Sequence, residues 1–389
     1  MKEVTLSGTL KYVDKIREMK RTGADIINFD AMPDTPQHIK DAAREMLYSP
    51  AAASYTDPRG LAELREAIAE KLKDENKIEA NPENQIMVTL GGKSAILTAL
   101  LALVNPGDEI MIEDPVWVTY LPCIHLAGGT PVFVPLKEDE GWKLSPKEIE
   151  RRITPKTKMI VICNPHNPTG RVLGKVDIEE IIEVIKRHDV LLFVDECYEK
   201  YVYDGLTHYS IASFPDMADR TITLQTTTKI FNMFGWRVGW VTASKDIIEQ
   251  MLKIHSHSVT CAPSFAQAGA VAALTERPLI VLGGLTIQEM VKEWTRRRDA
   301  MVDGLNKIPG VTCVKGSGGY FTFPEFSAFG MSSMQLYERL LAEAGVSVTP
   351  GIEFGNEGEG HCRFLFSCPV EGIETGLNRV RTALAKSSK

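Results

Sequence analysis

The sequence predicts an α/β protein: a large domain built on a mostly parallel sheet between helices, plus a smaller α+β domain. Three observations carry this. From about residue 85 to residue 243, short apolar runs alternate with helical stretches. Two of those runs, MIVIC at 159–163 and VLLFV at 190–194, are hydrophobic without interruption, as expected of strands covered on both faces. After about Arg297 the pattern changes to a helix, short strands, more helix and a last strand. The chain has 389 residues, long enough for about two domains. The expected division is an N-terminal segment, 1–40, packing with the small domain, a large domain at 41–295 and a small C-terminal domain at 296–389.

Strands are expected at 86–90, 109–113, 158–163, 190–194 and 221–224. Leu61, Leu64, Ile68 and Leu72 form an apolar stripe at helical spacing behind Arg59-Gly60. A second helix is expected at 94–104, ended by Asn105-Pro106-Gly107. In the small domain, strands are expected at 312–314, 320–324 and 363–367.

Composition excludes several classes. The net charge is −7 and no basic stripe stands out, which argues against a nucleic-acid partner. No run approaches the roughly 20 apolar residues of a membrane span. Residues 1–20 contain no apolar core of a secretory signal. The seven cysteines are scattered without a CxxC pair, as in a reduced, cytoplasmic protein. The histidines show no metal spacing. His255 and His257 fall on different faces of a helix and read as structural.

The chemistry concentrates in residues 224–240, LQTTTKIFNMFGWRVGW. Lys229 follows three threonines and is surrounded in sequence by Ile230, Phe231, Met233, Phe234 and Trp236. Such enclosure disfavours the charged form, lowers the pKa and frees the amine as a nucleophile. Hydroxyls from Thr226 and Thr228 on one side and the Arg237 guanidinium on the other suit a phosphate dianion. An aldehyde carrying a phosphate meets all these demands, and pyridoxal 5′-phosphate is one. The alternative is a snorkelling surface lysine beside a core tryptophan.

Four further features fall where strands hand over to loops, the place ligands collect in such sheets. Gly91-Gly92-Lys93-Ser94 opens a helix after a strand, so backbone N–H groups there can approach an anion. A plain tight turn is the alternative. Asp195 ends an apolar strand and needs a partner; a protonated ring nitrogen would serve, or Asp195 could cap the next helix. Tyr198 lies on the same side if a helical turn follows. The run from Asn164 to Gly170, NPHNPTG, holds two Asn-Pro pairs, each able to be cis, and a rigid loop of this kind can present the Asn167 amide. An ordinary turn is the other reading. Trp117, after the strand at 109–113, offers a flat face for stacking, or packs in the core.

Together these motifs resemble the fold-type I pyridoxal-phosphate enzymes, and within them the class I and II aminotransferases related to aspartate aminotransferase. The resemblance runs over nearly the whole chain, from YTDPRGLAELREAIAE through VTLGGKSA, DPVWVTY, NPHNPTG, VDECYEKYVYDG and TTTKIFNMFGWRVGW to CRFLFS. It implies that Lys229 forms the internal Schiff base and shuttles the proton of the 1,3 shift. Asp195 would pair with the ring nitrogen, Asn167 and Tyr198 would bond the 3′-oxygen, and Trp117 would stack on the ring. Gly92, the Lys93 backbone, Thr226, Thr228 and Arg237 match phosphate-region positions. Tyr55 resembles the tyrosine that reaches the neighbouring subunit's phosphate, implying a homodimer with shared sites. Arg363 matches the arginine that clamps the substrate α-carboxylate, with Trp117 and Asn167 beside the substrate.

The chain departs from the family in three places. Ala31-Met32-Pro33-Asp34-Thr35 stands where Gly-x-Pro-Asp-Phe is usual, threonines replace serines before Lys229, and the N-terminal segment is short, so that a lid is expected to be reduced. The resemblance implies ping-pong transamination between an L-amino acid and a 2-oxo acid such as 2-oxoglutarate. The Lys93 side chain resembles a lysine that contacts a distal carboxylate, which favours aspartate or glutamate. A lyase or substituting enzyme at Cβ or Cγ, such as a C–S lyase, is the alternative within the fold. A non-catalytic regulator is disfavoured by the intact Lys229 and by the lack of room for a helix-turn-helix before Thr5.

Overall fold

The structure, a computed structural model, describes residues 8–385. Its centre is a seven-stranded sheet: β1 (Ile86–Thr89), β2 (Glu109–Asp114), β3 (Thr130–Pro135), β4 (Thr157–Cys163), β5 (Leu191–Asp195), β6 (Thr221–Thr226) and β7 (Gly239–Thr242). Their order is β1-β7-β6-β5-β4-β2-β3, parallel from β6 to β3. Only β7 runs against both its neighbours, so the sheet is mostly parallel as expected.

Strand alternation explains the continuous apolar runs. Along β4, Met159 and Val161 pack on one face with Phe193 of β5, while Ile160 and Ile162 pack on the other with Leu192 and Val194. The first face is covered by helices Gly91–Leu103 and Lys245–Ser258, the second by Pro146–Arg152 and Lys175–Lys186. In the helix Lys245–Ser258, His255 is buried and His257 exposed, in keeping with their expected separation.

Two strands of the sheet carried weak signals. In β3, Pro131 and Pro135 interrupt the pattern, which a central strand would not tolerate; β3 is an edge. The other, β7, is four residues long. The helix expected at 94–104 begins three residues earlier, at Gly91.

Beyond a short hairpin, β8 (Ile280–Val281) with β9 (Leu285–Thr286), lies a three-stranded antiparallel sheet. It orders β10 (Phe321–Thr322), β12 (Cys362–Leu365) and β11 (Thr349–Pro350), and is accompanied by helices Ile287–Asn306, Ser333–Arg339 and Val370–Ala385. The strand expected at 312–314 is not formed: Thr312 makes one isolated bridge to Glu325. The Asn306 side chain takes the Cys313 N–H at 2.9 Å and its carbonyl at 3.1 Å, occupying the groups a ladder would use. Near the N-terminus Ile27 bridges Val346, and the N–H groups of Ser367 and Cys368 donate to the Phe29 carbonyl. Helix Gln37–Tyr48 instead packs on Ser264–Thr275.

Phe193 is 1% exposed at the middle of β5, the strand that ends in Asp195. Truncation to alanine should cost about 3–5 kcal/mol, because the tightly packed layer cannot close the cavity. A urea titration showing a loss below about 1 kcal/mol would contradict this packing.

Candidate active site

The C-terminal ends of the parallel strands converge on one place. There β5 delivers Asp195, β6 delivers the loop to Lys229, and β2 and β4 deliver the loops holding Trp117 and Asn167.

Asp195 is 3% exposed. Its Oδ2 accepts from the Tyr120 hydroxyl at 2.7 Å and its Oδ1 from the Cys197 N–H at 3.1 Å. Both donors are neutral, and no cation pairs with it among the described residues. Burial therefore raises its pKa, against hydrogen bonds that lower it. Tyr120 was not singled out in the sequence, although it stands three residues after Trp117 within DPVWVTY; that helical spacing was the available signal.

Lys229 sits in a turn after β6, where the Phe231 and Asn232 N–H groups fold back to Thr227 and Lys229 carbonyls. Its carbonyl accepts from Tyr201 at 3.0 Å. The amine faces aromatic rings: Phe234 at 4.6 Å, Tyr198 at 5.5 Å and Tyr320 at 5.8 Å from their centroids. Of its apolar sequence neighbours only Phe234 turns towards the amine in this way; Phe231 and Met233 pack into the core. Desolvation lowers the amine's pKa, with Arg363 adding to it and Cys197, Asp30 and Asp195 opposing. Two of these neighbours, Tyr320 and Asp30, were missed. Tyr320 follows a glycine-rich run with no pattern of its own, and Asp30 directly precedes the segment 31–35 where the chain departs from the family it resembles.

Arg237, at φ 58°, crosses beneath the start of helix Gly91–Leu103. Its guanidinium reaches the carbonyls of Phe234 at 3.0 Å and Leu90 at 3.4 Å, and no acid pairs with it among the described residues. No side chain caps that helix, so its first N–H groups remain available to an anion. Gly91 is the glycine this crossing requires. It has φ 74°, and a Cβ there would lie 2.3 Å from an Arg237 nitrogen, whereas one on Gly92 would meet Thr226 at an ordinary 3.4 Å. Thr226 and Thr228 are buried next to this point, linked by the Thr228 N–H donating to Thr226 Oγ1 at 3.2 Å. Lys93 projects outward, its ammonium 5.5 Å from the Trp117 ring. Partial desolvation lowers its pKa, helped by Arg237 and Lys229.

On the other side Asn167 Nδ2 lies 3.5 Å from the Tyr198 hydroxyl, and its Oδ1 accepts from Arg363 Nη1 at 3.0 Å. Both Asn-Pro bonds of the loop are cis, as the sequence allows. Arg363 lies against the rings of Phe354 and Phe321, at 4.9 and 5.9 Å, and its Nη2 reaches Thr349 at 3.4 Å. Its Nε is buried without a partner, and no carboxylate lies within ion-pair distance among the described residues. A cavity of about 410 Å³ opens over it, lined among others by Tyr12, Asp30 and Thr349. Within one chain Tyr55 stands apart, 86% exposed.

A second polar group, Glu196, Glu199 and His208, lies behind the site with potential ligand atoms within 4.8 Å of one another. Lys71 fills it: its ammonium bonds Glu199, Asn76 at 2.7 Å and Gln225 at 2.8 Å. It is therefore a hydrogen-bonded ion cluster.

The site thus holds an unpaired buried carboxylate, two guanidinium groups without acids, open helix N–H groups, and an amine with no hydrogen-bond partner among the described residues. Each charge lacks what pyridoxal 5′-phosphate and an amino acid carry, namely a protonated ring nitrogen, a phosphate and a carboxylate, so the residues fit that cofactor. In cofactor-free protein, trinitrobenzenesulfonate should label Lys229 with a pH midpoint below that of surface lysines, as depression of its pKa requires. Peptide mass spectrometry showing the same midpoint for all would contradict the desolvation argument.

The description "aminotransferase class I and II" belongs to the family model that matches residues 24–380. Similar proteins include an aspartate aminotransferase of Pyrococcus abyssi, 42% identical over 90% of this chain and 89% of its own. Another is aromatic-amino-acid aminotransferase 2 of Thermococcus litoralis, 40% identical with the same coverage. Among solved structures, the aromatic aminotransferase from Pyrococcus horikoshii superposes with a TM-score of 0.88 at 40% identity, covering 95% of this chain and 99% of that one. The Thermus thermophilus aspartate aminotransferase with maleate gives 0.91 at 34%, covering 98% and 97%. Fold, site and relatives agree that this chain belongs to the class I and II aminotransferases and is a pyridoxal-phosphate enzyme.

Proposed function

We propose that the chain transfers the amino group of an L-amino acid, of aspartate or glutamate type, to a 2-oxo acid such as 2-oxoglutarate, at a site built around Lys229. The observation that carries this is the set of uncompensated charges around one desolvated amine. The cofactor, when bound, supplies an electron sink for the carbanion formed at the substrate Cα. Lys229 would hold the cofactor through its aldehyde carbon, and its amine would be the base that takes the substrate Cα proton and returns it two atoms away. Asp195 keeps the ring nitrogen protonated, with Tyr120 fixing the carboxylate. Asn167 and Tyr198 address the 3′-oxygen, and Trp117 covers the ring. Arg237, Thr226, Thr228, Gly92 and the Lys93 backbone hold the phosphate. Arg363, oriented by Asn167 and Thr349, forks onto the α-carboxylate.

The outward Lys93 ammonium supports a substrate with a distal carboxylate, and relatives named for aspartate point the same way. A second reading, aromatic donors, is favoured by a cleft beside Trp117 lined by Leu121, Phe133, Ile352 and Phe354, with Glu353 and Asn356 as its polar side chains. None of the relatives named above is a lyase. We assign residues 41–295 to the cofactor-binding domain and 296–389, with 1–40, to the small one. Leu47, Tyr48 and Tyr55, 56%, 87% and 86% exposed, support a homodimer in which Tyr55 serves the neighbouring site. No described helix is long and apolar enough to cross a membrane, and we place the enzyme in the cytoplasm.

The test is a half-reaction screen: each candidate amino acid is added to the yellow enzyme and loss of the visible cofactor band is followed. Aspartate or glutamate should convert it fully, and failure of every proteinogenic amino acid would sink the transaminase reading. Arg363→Lys should raise KM for donor and acceptor by roughly 10- to 100-fold, the loss of a charge-assisted hydrogen bond. An unchanged KM for both would remove Arg363 from the carboxylate site. Sedimentation should give twice the chain mass, and Tyr55→Ala should weaken cofactor retention; a monomer that keeps full activity would overturn the shared site.

A further inference from the structure

Behind the loop that carries Asn167 lies a buried ionic strut with no part in the chemistry described above. Glu113, on β2, is 1% exposed, His166 is 0% and Arg171 is 9%. Arg171 Nη2 donates to Glu113 Oε1 at 2.5 Å, and Nη1 to the Trp142 carbonyl at 3.1 Å. Glu113 Oε2 accepts the Cys163 N–H at 3.1 Å and lies 3.5 Å from His166 Nε2. His166 Nδ1 meets Thr169 Oγ1 at 2.7 Å, and that oxygen also accepts the Arg171 N–H at 3.3 Å. The His166 and Arg171 backbones close the same turn, through the His166 N–H to the Arg171 carbonyl at 2.8 Å. Burial pushes His166 down to about 4, so the ring is neutral at physiological pH. One proton arrangement suits these neighbours: Thr169 O–H donating to Nδ1, which leaves Nε2–H 3.5 Å from the carboxylate, near it but without a hydrogen bond.

A buried ion pair is a poor stabiliser, since apolar residues of similar volume often serve as well. What this one supplies is position. Glu113 lies four residues before Trp117 on one segment, and His166 and Arg171 bracket Asn167 on the other. The Asn167 amide in turn divides between Tyr198 and Arg363 with contacts of 3.5 and 3.0 Å. We propose that Glu113, with Arg171 and His166, is a positioning group that ties the ring-stacking loop to the Asn167 loop and so sets the Asn167 amide against both the cofactor oxygen and Arg363. This rests on the reading of Asn167 given above.

The experiment compares wild-type holoenzyme with Asn167→Ala, Glu113→Gln and the charge-free double variant Glu113→Leu/Arg171→Met. Three quantities are read: thermal midpoint, KM against kcat, and the pH midpoint of the bound cofactor's visible band. The double variant should keep its thermal midpoint within a few degrees. Its KM for the amino acid should rise about tenfold, the cost of misplacing a binding group by a fraction of an ångström. Its spectral midpoint should move by about one pH unit in the direction that Asn167→Ala moves it. Glu113→Gln should show the same shifts with lower stability, because Arg171 is left buried and unpaired. A double variant with wild-type KM and spectral midpoint overturns the proposal, whatever its stability. Should it fail to fold, Glu113→Asp, which keeps the charge and retracts it by one methylene, carries the same test with the same two outcomes. If Asn167→Ala itself leaves the midpoint unmoved, the reading of Asn167 fails and takes the strut's role with it, while the transaminase assignment stands.

Discussion

A carboxylate at the end of a strand covered on both faces is costly, and Asp195 is held there by a tyrosine hydroxyl and one backbone N–H. No cation forms an ion pair with it among the described residues, and in the proposed site a protonated ring nitrogen would supply one. The remainder of the site is arranged around that imbalance. The parallel strands place Trp117, Asn167 and Lys229 at the same edge as Asp195, and the apolar layers on both faces keep water from screening the charges. The same exclusion of water lowers the Lys229 pKa, so one packing arrangement favours a charged partner for the acid and an uncharged state for the amine.

The substrate side depends on a different part of the chain. Arg363 is carried by the central strand of the three-stranded sheet, between β10 and β11, and its guanidinium is braced by Phe354, Phe321, Thr349 and Asn167. Asn167 therefore belongs to both halves: its loop grows from the large sheet while its carbonyl oxygen orients the arginine of the small one. In the proposed substrate site, the arginine that would take the carboxylate is thus held by a loop of the large sheet.

Much of this was legible in the sequence because the signals were local. An uninterrupted apolar run ending in Asp195, two Asn-Pro pairs, and a lysine amid threonines and aromatics each report their position through neighbours within a few residues. What escaped was set by long-range packing. Tyr120 matters because it reaches a strand 75 residues away. Tyr320 comes to Lys229 from the residue just before β10. The strand expected at 312–314 is an exception, lost to a side chain only seven residues away, Asn306, which occupies the Cys313 backbone groups. Gly91 and Gly92 look alike in sequence, and only the crossing of Arg237 distinguishes them. The role proposed for Tyr55 depends on a second chain, which a single chain's contacts do not display.

The single reversed strand has a further effect. Since β7 runs back between β6 and β1, the chain must turn completely around between Thr226 and Gly239. Lys229 and Arg237 ride on opposite limbs of that one bend. In the proposed site the covalent tether and the ionic anchor of the coenzyme therefore share one bend, and a movement of that bend carries both attachments together.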